Sequence, residues 1–425
     1  MRVLVLTEAF YPVRGGAQLV ISELCKRSPT AEVVLYTTPL PGQAEYDERQ
    51  TWRIIRSPAL RPVTTMWPEL SPDVRAAIAR EDAWSRRFAS LRLVRWLAYI
   101  RIIIDMICTA RKERAEVILC GHPFLGCIAA RMYCGMTGIA YVAYTYGEEL
   151  TMLSRRHITR WLLQWGLRGA RAVFTISRFS CQALESLGVE PRRVRLQLPA
   201  VRQFFLDAPQ FRADKTRLGL GIEAETGVLL TVARLSERKG IDTVIRTLPG
   251  ILRKGLDVLY MIVGCGSDES RLRALAVHEG VEEFVRFVGE VTDEELLEYY
   301  RACDVFVMPN RTLETTGETE GFGIVFLEAN ACGKPVIGGR AGGTVDAIED
   351  GVSGLLVDPL NIDEVAEAIV RLLIDKEYAR QLGENGRRRV VERFSWDRNA
   401  AEVWKELELA AAGVSQKRTP KQECL

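Results

Sequence analysis

Histidine is nearly absent: the 425 residues hold three. Ten cysteines are present, but none forms a Cys-x-x-Cys pair, so the chain lacks the spaced ligands from which zinc sites are built. Cys120, Cys127 and Cys134 recur every seven residues without histidine or cysteine partners at ligand spacing, and read as reduced packing thiols. Long apolar runs are missing too. The most apolar stretch, 91–110, is broken by Arg92, Arg95, Arg101 and Asp105, and no window offers the roughly 18 apolar residues of a spanning helix. The opening RVLVL turns polar at Thr7 and Glu8, too soon for a secretory signal, so the expected location is cytoplasmic. Familiar catalytic signatures also fail. GCGSDE starts as a dinucleotide fingerprint at Gly264 and Gly266 but reaches Glu269 where the third glycine belongs. Neither a Walker loop nor a Gly-x-Ser-x-Gly elbow occurs, so P-loop hydrolysis and esterase chemistry lack their local motifs.

What is present is ordinary globular composition, 48% hydrophobic and 26% charged, in a chain long enough for two or three domains. The net charge of +2 hides an asymmetry: residues 1–200 hold 28 Lys and Arg against 17 Asp and Glu, and the rest hold 29 against 38. A basic first half on an acidic second half suggests two lobes with different partners.

Both halves alternate short apolar strands with helical segments. RVLVL, AEVVLYTT, AEVILCG, AYVAYTYG and RAVFTIS form one series; GVLLTVARL, VLYMIVGCG, VRFVGEV, DVFVMPN, KPVIGG and SGLLVDP form a second. Near-continuous apolar strands with helical crossovers imply parallel sheets covered on both faces. The expected fold is therefore α/β, two tandem doubly wound, Rossmann-like domains whose strand ends face a central cleft. The expected boundaries are 1–197 and 222–394, a linker at 198–221, a last helix at 395–412 returning to the first domain, and a frayed tail at 413–425.

The chemistry-bearing loops follow strands of the second half. VARLSERKG places Arg234 and Lys239 five residues apart across a turn, a pair of cations suited to a diphosphate, or simply a solvated basic loop. In EGFGIVFLEA, Glu320 precedes a helix and Glu328 lies within it. Gly323, Ile324 and Val325 would offer free helix-start N–H groups to an anion. Glu320 could equally serve the helix dipole alone, but Glu328, among apolar neighbours, would be costly if idle. GGRAGGTVDAI adds a glycine loop at Gly342 and Gly343. In the first half, Gly15 and Gly16 lie between the first strand and helix, and His122 ends the strand AEVILCGH. Asp293 in VTDEEL reads as a helix N-cap, or as a contact for a base.

Taken in order, these loops resemble the retaining glycosyltransferases of family 4, which have the two-domain GT-B fold. The resemblance spans nearly the whole chain and is strongest over 227–359. The loop PNRTLETTGETEGFGIVFLEA looks most like the branch holding bacterial phosphatidylinositol mannosyltransferases and similar GDP-mannose-using enzymes. The resemblance implies that Arg234 and Lys239 hold the donor diphosphate and Glu328 the ribose. It places Glu320 near the donor sugar, with backbone donors from Gly323, Ile324 and Val325. It puts His122 beside the transferred sugar, Gly16 where the first loop nears the phosphate, and Gly264 and Gly266 near the base. Tyr146 stands where family members often have histidine. Retention would follow from front-face attack, a phosphate oxygen taking the acceptor's proton. No cofactor and no metal are expected, only a GDP- or UDP-linked sugar as co-substrate. The implied activity is transfer of a mannose- or glucose-type hexose to a lipid-linked or polysaccharide-precursor acceptor for the cell envelope. An epimerase, a hydrolase or a non-catalytic sugar-nucleotide-binding subunit are the alternatives. Nucleic acid is not an expected partner.

The basic half suggests one more partner. Arg80, Arg86, Arg87, Arg92, Arg95, Arg101, Arg111, Lys112 and Arg114 surround Trp84, Phe88, Trp96 and Tyr99, while Arg155, Arg156, Arg160 and Arg168 surround Trp161 and Trp165. Basic charge with interfacial aromatics fits an anionic membrane surface, here the inner face of the cytoplasmic membrane. Against this, apolar residues over 84–107 cover nearly all helical angles, the pattern of a buried helix.

Overall fold

The structure, a computed structural model, describes residues 1–8, 10–12, 15–29, 32–60, 92–207 and 213–418. Two units emerge, Met1–Gln197 together with Asp397–Leu425, and Leu198–Trp396.

The first unit carries a seven-stranded parallel sheet. Its strands are β1 (Arg2–Leu6), β2 (Glu32–Thr37), β3 (Arg53–Arg56), β4 (Val117–Cys120), β5 (Tyr141–Thr145), β6 (Val173–Thr175) and β7 (Val194–Leu196). They run in the order β3-β2-β1-β4-β5-β6-β7. The central β1 and β4, in register from Val3 opposite Val117 to Leu6 opposite Cys120, are almost wholly buried. That burial is the physical meaning of their unbroken apolar runs. The helix Trp396–Arg418 belongs almost entirely to this unit, burying Ala400, Val403, Trp404, Leu407 and Ala410 at helical spacing. Trp404 Nε1 donates to the Leu24 carbonyl at 3.0 Å. The helix runs on to Arg418 rather than fraying at 413, and 419–425 lie outside the described residues.

The second unit holds β8 (Gly227–Val232), β9 (Val258–Val263), β10 (Val285–Gly289), β11 (Val305–Met308), β12 (Val336–Gly339) and β13 (Gly354–Val357). These six strands are ordered β10-β9-β8-β11-β12-β13, again all parallel. Each unit has its own apolar core. The segment 198–221 is more than a tether: it contains the helices Gln203–Leu206 and Ala213–Gly219 and groups with the second unit.

Order reverses between β1 and β4 in the first sheet and between β8 and β11 in the second. Helices diverge to opposite faces at such a point and leave a crevice beyond the strand ends. Both sets of candidate residues hang from these reversals.

From residue 96 on, the helix Arg92–Lys112 corrects the expectation of a buried helix. Ile102, Met106 and Ala110 face the core, but Trp96, Leu97, Ile100 and Ile104 are exposed. Arg80, Arg86, Arg87, Trp84 and Phe88 lie outside the described residues.

Candidate active site

The loop leaving β8 turns through a short 3-10 helix, Glu237–Lys239, into the helix Ile241–Arg253. This turn buries the side chains of Arg238 and Lys239. Opposite, the loop after β11 brings in Glu320, also buried. Lys239 Nζ donates to Glu320 Oε2 at 2.5 Å, and Arg238 Nη1 donates to the same oxygen at 3.0 Å. Two buried cations therefore share one carboxylate. Burial pulls the Lys239 ammonium down from its ordinary pKa; Glu320 opposes this, and the charges of Arg238 and Arg234 add to it. Burial alone would raise the Glu320 carboxyl, but Lys239, Arg238 and the Phe322 N–H outweigh it and hold the pKa down at about 2. Arg234 is half-buried in the same loop.

The turn is held from behind. Arg311 donates its N–H to the Arg238 carbonyl at 2.8 Å and its Nη2 to Asp242 at 3.0 Å. Neighbouring loops are laced to it: Leu235 N–H donates to the Cys265 carbonyl, and Gly264 and Gly266 press on the loop's backbone. A Cβ at Gly264, whose φ is +122°, would overlap the Ala233 carbonyl, and one at Gly266 would overlap that of Leu235. Gly323, with φ +89°, caps the helix Ile324–Ala331. The N–H groups of Gly323, Ile324 and Val325 stand at the end that no intrahelical carbonyl reaches.

Glu328 sits inside that helix, buried. The Tyr300 hydroxyl donates to its Oε2 at 2.9 Å, and Arg202 Nη2 lies 3.7 Å from its Oε1. Arg202 Nη1 also donates to Asp293 at 2.6 Å. Asp293 is not the N-cap: Thr292 takes that role, its hydroxyl accepting from the Glu295 N–H while the Glu295 carboxylate accepts from the Thr292 N–H.

In the first unit, His122 follows β4 and Glu8 follows β1, so the strand reversal sets them side by side. His122 Nδ1 lies 3.2 Å from Glu8 Oε1. Burial raises the Glu149 carboxyl above its ordinary value, partly offset by the charge of His122 and the Tyr146 N–H. Tyr146 donates its hydroxyl to the Gly121 carbonyl at 3.0 Å, fixing it beside the His122 turn. Gly16 opens the helix Gly16–Lys26, exposed, with Gly15 as its cap; Val13 and Arg14 lie outside the described residues.

The structure thus gathers Lys239 and Glu320 directly and sets Arg234 and Gly323 through Val325 on the same strand ends. Glu328 belongs to the Arg202–Tyr300 cluster, and His122 and Gly16 belong to the other unit. Two participants escaped the sequence reading. Arg238 was hidden by its place between Glu237 and Lys239 in a charged run, where only the burial of the turn separates it from a solvated arginine. Arg202 lay in a stretch read as linker.

Residues 213–389 match the model of the group 1 glycosyl transferases. Over 412 residues the chain is 31% identical to the GDP-mannose-dependent alpha-(1-6)-phosphatidylinositol monomannoside mannosyltransferase of Mycobacterium tuberculosis (strain ATCC 25618 / H37Rv), covering 95% of this chain and 97% of that one. The chain belongs to the group 1 glycosyltransferases. Among solved structures, HepE of Anabaena in complex with UDP and glucose superposes with a TM-score of 0.75 at 19% identity, over 96% of this chain and 100% of that one. Sucrose-phosphate synthase of Thermosynechococcus elongatus gives 0.76 at 20% identity, over 97% and 99%. At such identities the likeness establishes the fold, GT-B, with its two Rossmann-like domains. As a member of the family, the chain is a glycosyltransferase that uses a nucleotide sugar.

Proposed function

We propose that this glycosyltransferase moves a mannose- or glucose-type hexose from a nucleoside-diphosphate sugar to the hydroxyl of a lipid-linked or polysaccharide-precursor acceptor, with retention at the anomeric carbon. The observation that carries the reading is the pair of buried cations, Lys239 and Arg238, on the single carboxylate of Glu320. Arg234 lies in the same loop, and the helix start at Gly323 adds oriented N–H groups. A diphosphate meets all of these needs, and its charge, growing as the sugar leaves, is stabilised in a site already ordered for it. Lys239 and Arg234 hold the diphosphate, Glu328 accepts from the ribose hydroxyls, and Gly264 and Gly266 let the base approach the backbone. Glu320 borders the transferred sugar in the second unit; for the first unit, the family resemblance assigns His122 to the sugar and Gly16 to the phosphate. The acceptor oxygen attacks from the side on which the diphosphate departs; a donor phosphate oxygen takes its proton, so that the carbon–oxygen bond to the diphosphate breaks as the new glycosidic bond forms. Positioning and charge stabilisation supply the rate, and this scheme requires no metal and no cofactor.

The 31% identity to a GDP-mannose-dependent mannosyltransferase acting on a phosphatidylinositol monomannoside supports GDP-mannose as donor and a phosphoinositide-type lipid as acceptor. The test is incubation with GDP-mannose or UDP-glucose and a lipid or saccharide acceptor, followed by proton NMR of the product. Nucleoside diphosphate should appear only with acceptor present, and the new bond should keep the donor's anomeric configuration. An inverted product, or release without acceptor, would refute the reading.

An anionic membrane surface is the second partner proposed, at the inner face of the cytoplasmic membrane. No described helix is long and apolar enough to cross a membrane. The helices Arg92–Lys112, Leu125–Thr137 and His157–Arg168 pack side by side in the first unit. Their outer surface exposes Trp96, Ile100, Ile104, Met136, Ile158 and Trp161, each 40–65% accessible, among Arg101, Arg111, Lys112, Arg155 and Arg160. These helices contain one acidic residue, Asp105, and its carboxylate is engaged by Tyr36 and Ser57 hydroxyls at 2.5 and 2.6 Å. Exposed apolar side chains among arginines and a lysine suit an anionic bilayer. Replacing Arg155, Arg156 and Arg160 together by glutamine should weaken sedimentation with anionic vesicles about a hundredfold at low salt, at roughly 1 kcal/mol per cation. Equal binding of the wild-type chain to neutral and anionic vesicles would remove this partner.

A further inference from the structure

Glu328 is buried, and its two oxygens have different neighbours: the Tyr300 hydroxyl donates to Oε2, while Oε1 faces Arg202 Nη2. A carboxylate has about four acceptor positions, so both oxygens keep lone pairs for a diol. Arg202 is itself fixed. Its Nη1 donates to Asp293 at 2.6 Å, and its guanidinium lies 4.9 Å from the centre of the Phe205 ring, which meets the Tyr300 ring edge-on at 5.7 Å. The cation therefore ties the helix Asp293–Ala302 to the carboxylate of the helix Ile324–Ala331.

We infer that Arg202 is a positioning residue for the donor nucleoside, holding Glu328 ionised and aimed so that it can accept from the ribose hydroxyls. The inference rests on the assignment of Glu328 to the ribose. Arg202 itself touches no reacting atom. The groups that act most strongly on Glu328 are Arg202, Asp293 and Tyr300; Cys332 lies at its own helix end, where Arg387, from the packed helix Lys376–Arg393, donates to the Ala331 carbonyl. Burial pushes the Glu328 carboxyl above its ordinary pKa; Arg202 and the Tyr300 hydroxyl restrain that rise, and Asp293 adds to it. Burial also keeps Tyr300 and Cys332 protonated and neutral at neutral pH, so neither adds a negative charge beside Glu328. Removing Arg202 takes away the cation beside Glu328 while the charge of Asp293 still acts on it, which lifts Glu328 further. The carboxyl then takes up a proton as pH falls, and a protonated carboxyl is a poorer acceptor for a diol.

The experiment titrates GDP and UDP, with inorganic pyrophosphate as control, onto the wild-type chain, Arg202→Gln, Arg202→Lys and Glu328→Gln between pH 6 and pH 8.5. Arg202→Gln should weaken binding of the nucleoside diphosphate roughly tenfold at pH 6, the scale of one lost charge-assisted hydrogen bond, and much less at pH 8.5. Arg202→Lys should recover most of the loss, and pyrophosphate should bind all four chains alike. A loss independent of pH, no loss at all, or a parallel loss of pyrophosphate would overturn the inference. If Glu328→Gln loses nucleotide while Arg202→Gln does not, Arg202 fails and the ribose assignment stands. If Glu328→Gln binds as the wild type does, the ribose assignment fails and takes the inference with it.

Discussion

Lys239→Ala is expected to lower turnover by roughly a hundredfold or more, the usual cost of one donor aimed at charge that develops in the transition state. Lys239 is buried at the β8–β11 reversal and donates to Glu320 at 2.5 Å, so its ammonium is already in place when the donor arrives. The loss should fall on kcat and kcat/KM together, because the interaction strengthens as the diphosphate departs. Lys239→Arg should recover little. A planar guanidinium does not fit the space of a compact ammonium, and Arg238 already occupies the neighbouring position on Glu320. Steady-state rates with the donor, beside a circular dichroism spectrum showing an intact fold, decide the matter. Unchanged turnover would remove Lys239 from the mechanism.

Glu320→Ala should act on stability as strongly as Lys239→Ala acts on rate. It leaves Arg238 and Lys239 as two buried cations without their shared counter-charge. Stripping the partner from a buried ion pair costs about 3–5 kcal/mol, so the second unit should melt roughly 10 °C lower in calorimetry at pH 7. The effect is pH-dependent in a defined direction. The folded carboxyl ionises at about 2, well below its ordinary 4.5, so on acidification the unfolded chain takes up the proton first. The stabilisation is complete above pH 4.5 and is lost as pH falls toward 2. Wild type and variant should therefore converge over that window. A constant gap down to pH 2 would mean that the ion pair is not the source of the difference.

The alternating strands were legible because the central strands are buried on both faces, and burial leaves an unbroken apolar signature such as RVLVL or VLYMIV. The strands β3, RIIR, and β7, VRL, stand at the edges of the sheet among the described residues and carry arginines, and neither stood out. Lys239, Glu320 and Glu328 could be picked out because charged residues among glycines or apolar neighbours have few inexpensive explanations. Arg238 and Arg202 could not, since their partners, Glu320 and Glu328, lie far along the chain and meet them only in the folded unit. Thr292 outcompetes Asp293 for the cap because its hydroxyl reaches the Glu295 N–H, leaving Asp293 to meet Arg202. The outward face of Arg92–Lys112 was misread for a related reason: apolar residues all round a helix imply burial only when something covers every side.

Nucleoside-diphosphate binding to the wild-type chain is the most direct test of the central claim, that the β8–β11 reversal holds a nucleotide sugar. One of GDP, UDP or ADP, at about 100 times its dissociation constant, should stabilise the chain by roughly 2.7 kcal/mol in a thermal shift, and Lys239→Ala should lose most of that gain. No shift with any of the three would contradict the donor site as described.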